Sequence, residues 1–200
     1  MSNHQGVSRR RRDLVIATTC AGGVAGVAAA VPFVAFMLPS ERVKALGAPV
    51  EADISTLALG QKMTIEWRGQ PVWILHRTKE MLAAVKADDG KVADPKSERK
   101  PGVVTPPYAK NEFRSIKPEI LVVVGICTHL GCSPQDKFQS GKELFDSEWH
   151  GGFYCPCHGG LFDLAGRVHK NTPPPDNLKV PPHRYLAASR ILIGEDKEGA

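Results

Sequence analysis

An all-β body carried on one amino-terminal membrane helix is the architecture these 200 residues dictate, and three features carry that reading. Turn formers are abundant, with 19 Gly and 16 Pro against 6% aromatic residues, which favours many short strands over long helices. A single uncharged apolar run, residues 14–38, stands near the start. The remainder is 24% charged over the whole chain and alternates β-branched runs with turn signals, as a globular domain does. The formal net charge is +5, yet four of the positive charges form the single run 9–12. The rest is close to neutral, so no nucleic-acid partner is expected and the basic run needs a local explanation.

The first element is the apolar run. Twenty-five residues in a helix span about 37 Å, enough for a hydrocarbon core of about 30 Å with tilt to spare. Gly22, Gly23, Gly26 and several Ala suit close packing in lipid better than a water-soluble helix. Arg9, Arg10, Arg11 and Arg12 with Asp13 precede the run, and Glu41, Arg42 and Lys44 follow it. The heavier positive flank keeps the amino terminus cytoplasmic and sends the bulk of the chain to the periplasmic side of a bacterial inner membrane. Arg11 and Arg12 followed by Asp13, Leu14 and Val15 resemble a twin-arginine export signal, which serves cargo exported already folded. The run exceeds the apolar core of a cleaved signal peptide, about 7 to 15 residues, so it reads as a retained anchor. Cys20 within it is a small apolar helix residue. The expected organisation is a cytoplasmic tail over 1–13, a membrane helix over 14–38, a flexible tether over 39–50 and an exported domain over 51–200.

In the exported part, residues 64–67 and 72–77 read as a hairpin, with Gly69 available for its turn. A short helix follows over 78–85, capped by Thr78, with Met81, Leu82 and Val85 on one face. Residues 87–118 are charged and proline-containing, and read as a long solvated excursion. The continuous apolar run 120–126 is a buried strand that delivers Cys127 to its end. Residues 152–155 and 190–194 are further short strands.

The chemistry lies in two clusters: Cys127-Thr128-His129-Leu130-Gly131-Cys132, and, after 22 intervening residues, Cys155-Pro156-Cys157-His158. Each offers a Cys-His pair and a second Cys. Cys127 with His129 and Cys155 with His158 make a four-point site of two thiolates and two imidazoles. Structural zinc and an iron-sulfur centre both accept such a set.

At these residues the chain resembles the Rieske iron-sulfur protein family, specifically the subunit of quinol-oxidising cytochrome bc complexes. The likeness is strongest over 127–132 and 151–163, and extends to anchor, tether and the proline-rich loop at Pro173, Pro174 and Pro175. It implies a Rieske-type all-β head, a β base with a smaller cluster-binding β subdomain over about 127–176. It implies a 2Fe-2S cluster in which Cys127 and Cys155 ligate one iron and His129 and His158 the other, with Cys132 and Cys157 as the family's disulfide. That pair is missing from dioxygenase-type Rieske proteins, and an exported site permits the bond. The implied activity is one-electron, proton-coupled oxidation of quinol through His158, with His129 sharing the exposed tip, and delivery to a c-type cytochrome. The implied partners are b-type and membrane-anchored c-type cytochromes in a dimeric membrane complex. The Rieske subunit of another exported oxidase, of the arsenite-oxidising type, is the alternative.

Charge counting explains the ligand set. Two ferric ions, two sulfides and two thiolates sum to zero, so reduction of such a cluster leaves one negative charge. An all-thiolate cluster starts two charges lower, which is why Rieske potentials run from roughly −150 to +300 mV against about −400 mV for plant-type ferredoxins. Leu130 and the proline loop are expected to shield the cluster. Two positions depart from the family pattern: Gly160, where a Ser commonly donates to a bridging sulfur, and Phe162, where many members have a Tyr that donates to a ligand cysteine. The expectation is a potential on the lower side of the quinol-oxidising group. Among the other histidines, His150 is the one candidate for a supporting role near the cluster, while His4, His76, His169 and His183 carry ordinary structural readings.

Overall fold

The computed structural model describes residues 8–41, 43, 47–99, 102 and 105–196. The chain divides into two units, residues 1–45 and 46–200. In the first, helix α1 spans Arg9–Met37, so the four arginines continue the helix rather than precede it. Its most apolar stretch has a mean hydropathy of 2.0 and none of it is buried. The hydroxyls of Thr18 and Thr19 donate back to Leu14 O and Val15 O at 2.9 and 2.8 Å, which satisfies them without water. The helix ends at Met37 because Leu38 precedes Pro39 and is driven into extended geometry, with ψ 145°. His4 and part of the expected tether, residues 42 and 44–46, lie outside the described residues.

The second unit is built from three antiparallel three-stranded sheets. Strands β2 (Lys62–Trp67), β3 (Gln70–His76) and β4 (Ile120–Val124) form the middle sheet, in that order. β1 (Val50–Asp53), β9 (Arg190–Ile193) and β8 (His183–Ala187) form a second, and β5 (Gln135–Lys137), β6 (Gly152–Cys155) and β7 (Gly160–Asp163) a third. The turn between β2 and β3 is tighter than the sequence suggests: Trp67 pairs with Gln70, leaving only Arg68 and Gly69 to turn.

The unbroken apolar run of β4 follows from a two-residue side-chain period in a strand covered on both faces. Trp73, Leu75, Leu121 and Val123 point one way, into a core shared with Cys127, Phe153, Cys155 and Phe162. Val72, Ile74, Ile120, Val122 and Val124 point the other way, into a core with Ala52, Ile191 and Ile193. The middle sheet is the wall on which the cysteine-bearing subdomain rests. Helix α2 (Lys79–Ala87) follows β3, and Thr78 caps it by accepting Met81 N–H at 3.3 Å.

The excursion 87–118 corrects the sequence reading of a solvated face. Asp88, Val92, Ser97, Thr105, Ala109, Arg114 and Ser115 are buried, and the segment packs back on the turn that follows β7. Charged side chains can enter because backbone carbonyls receive them: Arg77 donates to Phe113 O and Leu164 O at 3.0 and 3.1 Å, and to Ser115 Oγ. Arg167 donates to Asp163 Oδ2 at 2.7 Å and Asp89 Oδ1 at 2.5 Å.

Two histidines given ordinary readings are buried. His169 lies against Trp149, and His183 opens β8 with its Nδ1 2.8 Å from Pro181 O. Burial lowers the pKa of both, against the opposing pull of Asp163, Asp88 and Asp146 on His169 and of the Pro181 carbonyl and Asp196 on His183. The unfolded chain, with imidazoles near 6.5, then binds more protons than the fold in acid. Stability from these groups is complete above about pH 6.5 and is lost as pH falls through the lower folded values. Asp88, raised by burial, acts in the opposite sense, and its hydrogen bond to His150 relieves part of that. Thermal unfolding of the detergent-solubilised protein is therefore expected to hold a level Tm above pH 7 and a falling one from pH 6.5 to 5. A Tm that rises over that interval contradicts this account.

Candidate metal centre

β4 leads directly into the first cysteine loop. Its exit passes Gly125, where any Cβ would run into the Trp73 indole, so the chain lies flat on that ring as it reaches Cys127. Cys127 N–H donates to Cys132 O at 2.8 Å, and Gly131 N–H donates back to Cys127 O at 3.1 Å. The second loop joins β6 to β7, with Cys155 paired to Gly160 and Gly159 N–H donating to Cys155 O at 3.0 Å. Both loops thus close by the same device, a glycine N–H four residues on that returns to the first cysteine's carbonyl. Both glycines are left-handed, φ +83° and +75°, and neither is crowded, so conformation alone selects glycine there.

The shared geometry sorts the side chains by depth. Cys127 and Cys155 are buried at 3% and 2% exposure, His129 is half-buried and His158 is exposed. The imidazoles meet edge to face, centroids 4.8 Å apart and planes at 85°. Burial, followed by the neighbouring Cys155, pushes the Cys127 thiol up to about 11. A metal that takes this sulfur as thiolate must displace its proton. Cys132 and Cys157 form a disulfide that staples one loop to the other.

These residues fit a two-metal group better than a single ion. With Cys132 and Cys157 joined to each other, the free donors of the two loops are two buried thiols, Cys127 and Cys155, and two imidazoles nearer solvent that touch each other, His129 and His158. A sulfur layer inside and a nitrogen layer outside suit one metal held by thiolates and a second, nearer solvent, held by imidazoles.

Three supports surround the loops. Thr128 Oγ1 donates to Asp176 O at 2.6 Å, tying the first loop to the proline-rich loop. Pro174 is buried while Pro173 and Pro175 are exposed, and Leu130 stands out at 71% exposure. Pro174 caps Gly160: a Cβ there would lie 2.6 Å from Pro174 Cγ. Phe162 is fully buried opposite Phe153. His150 does not serve the cluster loops by its Nδ1, which lies 2.7 Å from Asp88 Oδ1. The sequence reading missed Thr128, whose position between a cysteine and a histidine was the available signal. It also missed Arg114, which nothing in its charged surroundings distinguished.

The crowding at Gly160 decides which family donor can be restored. Gly160→Ser must displace Pro174, so it mixes a new donor with an uncapped cluster. Phe162→Tyr adds a hydroxyl to a ring already in place. A hydrogen bond to a charged acceptor is worth about 1.5 to 3 kcal/mol, and about 59 mV corresponds to tenfold for one electron. Phe162→Tyr is expected to raise the midpoint potential by roughly 60 to 130 mV. A redox titration with an unchanged midpoint contradicts it.

Comparison with known proteins gives a consistent picture. Residues 101–182 match the family described as the Rieske [2Fe-2S] domain, and residues 1–40 match the ubiquinol-cytochrome c reductase Fe-S subunit TAT signal. The chain is 55% identical to the ubiquinol-cytochrome c reductase iron-sulfur subunit of Allochromatium vinosum, over 98% of this chain and 94% of that one. The protein of the same name from Rhodospirillum rubrum is 42% identical over 92% of this chain and 91% of its own length. A chain of the solved hyperthermophilic respiratory Complex III is 27% identical over 88% of this chain and 98% of its own, with a TM-score of 0.45.

Proposed function

The chain belongs to the family of ubiquinol-cytochrome c reductase iron-sulfur subunits, and from that membership we propose which residues perform its electron transfer. It is an exported, membrane-anchored Rieske subunit of a multi-subunit cytochrome bc complex and carries a 2Fe-2S cluster. Cys127 and Cys155 hold the inner iron and His129 and His158 the outer one. The observation that carries this assignment is the pair of like-closed loops, each with its cysteine buried and its histidine nearer solvent.

When bound, the cluster supplies a one-electron acceptor coupled to uptake of a proton. The protein's part is to place that chemistry. His158, the exposed imidazole, presents its outward ring nitrogen to a quinol hydroxyl, accepts that hydrogen bond and then holds the proton. His129, half-buried, fixes the second corner of the tip. Leu130, Pro173 and Pro175 are exposed apolar groups that exclude water when the tip docks, and Pro174 seals Gly160. The disulfide holds both loops in register.

The specific partners are a b-type cytochrome that contributes the quinol pocket and a membrane-anchored c-type cytochrome that receives the electron, in a dimeric complex. The anchor crosses the bacterial inner membrane with the arginine-rich end cytoplasmic, supported by the greater positive charge before the helix than after it. The test is quinol-driven cytochrome c reduction by native membranes. Activity is expected to disappear with this subunit and return with the wild-type chain, whereas a chain carrying His158→Ala restores none. Full restoration by His158→Ala overturns the assignment.

A further inference from the structure

The segment that carries Pro174 runs between Gly166 and Leu178, and these two residues touch to form a neck: Leu178 N–H donates to Gly166 O at 2.8 Å. Across this neck lies the side chain of Arg114, which is fully buried. Its Nη1 donates to Ala165 O and Gly166 O on one side, both at 3.1 Å, and its Nη2 to Leu178 O on the other at 2.7 Å and to Thr105 Oγ1 at 3.4 Å. Its Nε donates to Ser97 Oγ at 2.8 Å. Asn177 locks the same neck a second time: its Nδ2 donates to Ser97 Oγ at 3.1 Å and to Asp94 O at 2.9 Å, and its Oδ1 accepts Val168 N–H at 2.9 Å.

Every group that accepts from Arg114 is neutral. Burying a guanidinium with no carboxylate bonded to it is costly, and its pKa falls to about 10 through burial. A cation so placed earns retention by geometry. Only the planar fork reaches carbonyls on both sides of the neck at once, and a lysine ammonium cannot.

We propose that Arg114 is a positioning residue for electron transfer: by clamping both sides of the neck it fixes Pro174 over Gly160 and keeps water from the cysteine-ligated side of the cluster. The proposal rests on the ligand assignment above and adds a residue more than forty positions from the proline loop's end.

The test uses the full-length protein loaded with its cluster. Arg114→Lys keeps the charge and loses the fork; Ser97→Ala removes one acceptor and leaves the cation in place. Both are expected to broaden the rhombic spin-resonance lines of the reduced cluster. In D₂O both are expected to show stronger coupling to exchangeable deuterons, and cluster loss to a chelator is expected to quicken, roughly tenfold for Arg114→Lys and less for Ser97→Ala. Pro174→Gly is expected to reproduce these changes, and combining it with Arg114→Lys to add little. Should Arg114→Lys fail to fold, Ser97→Ala and Pro174→Gly decide the matter. Variants with wild-type line shape, deuteron coupling and lability overturn the clamp. A wild-type protein without the rhombic signal overturns the ligand assignment instead.

Discussion

Cys155→Ala is expected to yield a folded full-length chain with neither iron nor acid-labile sulfide and no quinol-driven cytochrome reduction. Cys155 ends β6 inside the core shared with Trp73, Phe153 and Phe162, so its removal leaves a space about the size of one sulfur atom. Small truncations of this kind cost about 1 kcal/mol, far less than a domain's stability of about 5 to 15 kcal/mol. The loss at the site is of another order. Both inner positions are thiols with their backbone carbonyls already committed to Gly131 and Gly159, and no spare cysteine can step in because Cys132 and Cys157 are joined. Iron and sulfide analysis with circular dichroism separates the two effects. Retained cluster in Cys155→Ala removes that residue from the ligand set.

Opening the disulfide ranks next. The Cys132–Cys157 bond closes a separation of 25 residues that includes β5, the excursion to Trp149 and β6. Chain entropy for such a loop gives about 3.5 kcal/mol. In a domain of this size each kcal/mol moves Tm by about 2 to 4 °C, so Cys132→Ala with Cys157→Ala is expected to lower Tm by roughly 7 to 14 °C. The cluster should also become labile, because Gly131 and Gly159 close each loop separately and the disulfide is the covalent link between them. Differential scanning calorimetry with chelator challenge measures both. An unchanged Tm and wild-type cluster retention indicate that the surrounding sheets already hold the loops together.

What the sequence could tell depended on the range of the interaction. The apolar run at β4, the capping Thr78 and the second cysteine of each cluster are local signals, and the strand, the cap and the Cys132–Cys157 bond are all present. β1, β5, β7 and β8 have no strand signal of their own, because their residues include Glu51, Gly160, Asp163, Gln135 and Arg184 and their strand character comes from pairing with β6 and β9. The excursion 87–118 was misread for the same reason. Its Arg114 is received by carbonyls that arrive from residues 165, 166 and 178, and no local pattern announces a partner fifty residues away. Gly160 shows both levels at once: its identity was visible as a departure from the family, but Pro174 as the group that fills the space above it was not.

The central claim is a cluster held by two buried sulfurs on the inside and by two imidazoles on its solvent side. Pulsed spin resonance of the reduced full-length protein tests it most directly by resolving nitrogen couplings at the metal centre. Two strongly coupled nitrogens on a rhombic signal, with two irons and two sulfides per chain, are predicted in the wild type, and one nitrogen or no signal in His158→Ala. A signal without coupled nitrogen, or a chain that holds a single zinc, contradicts the account.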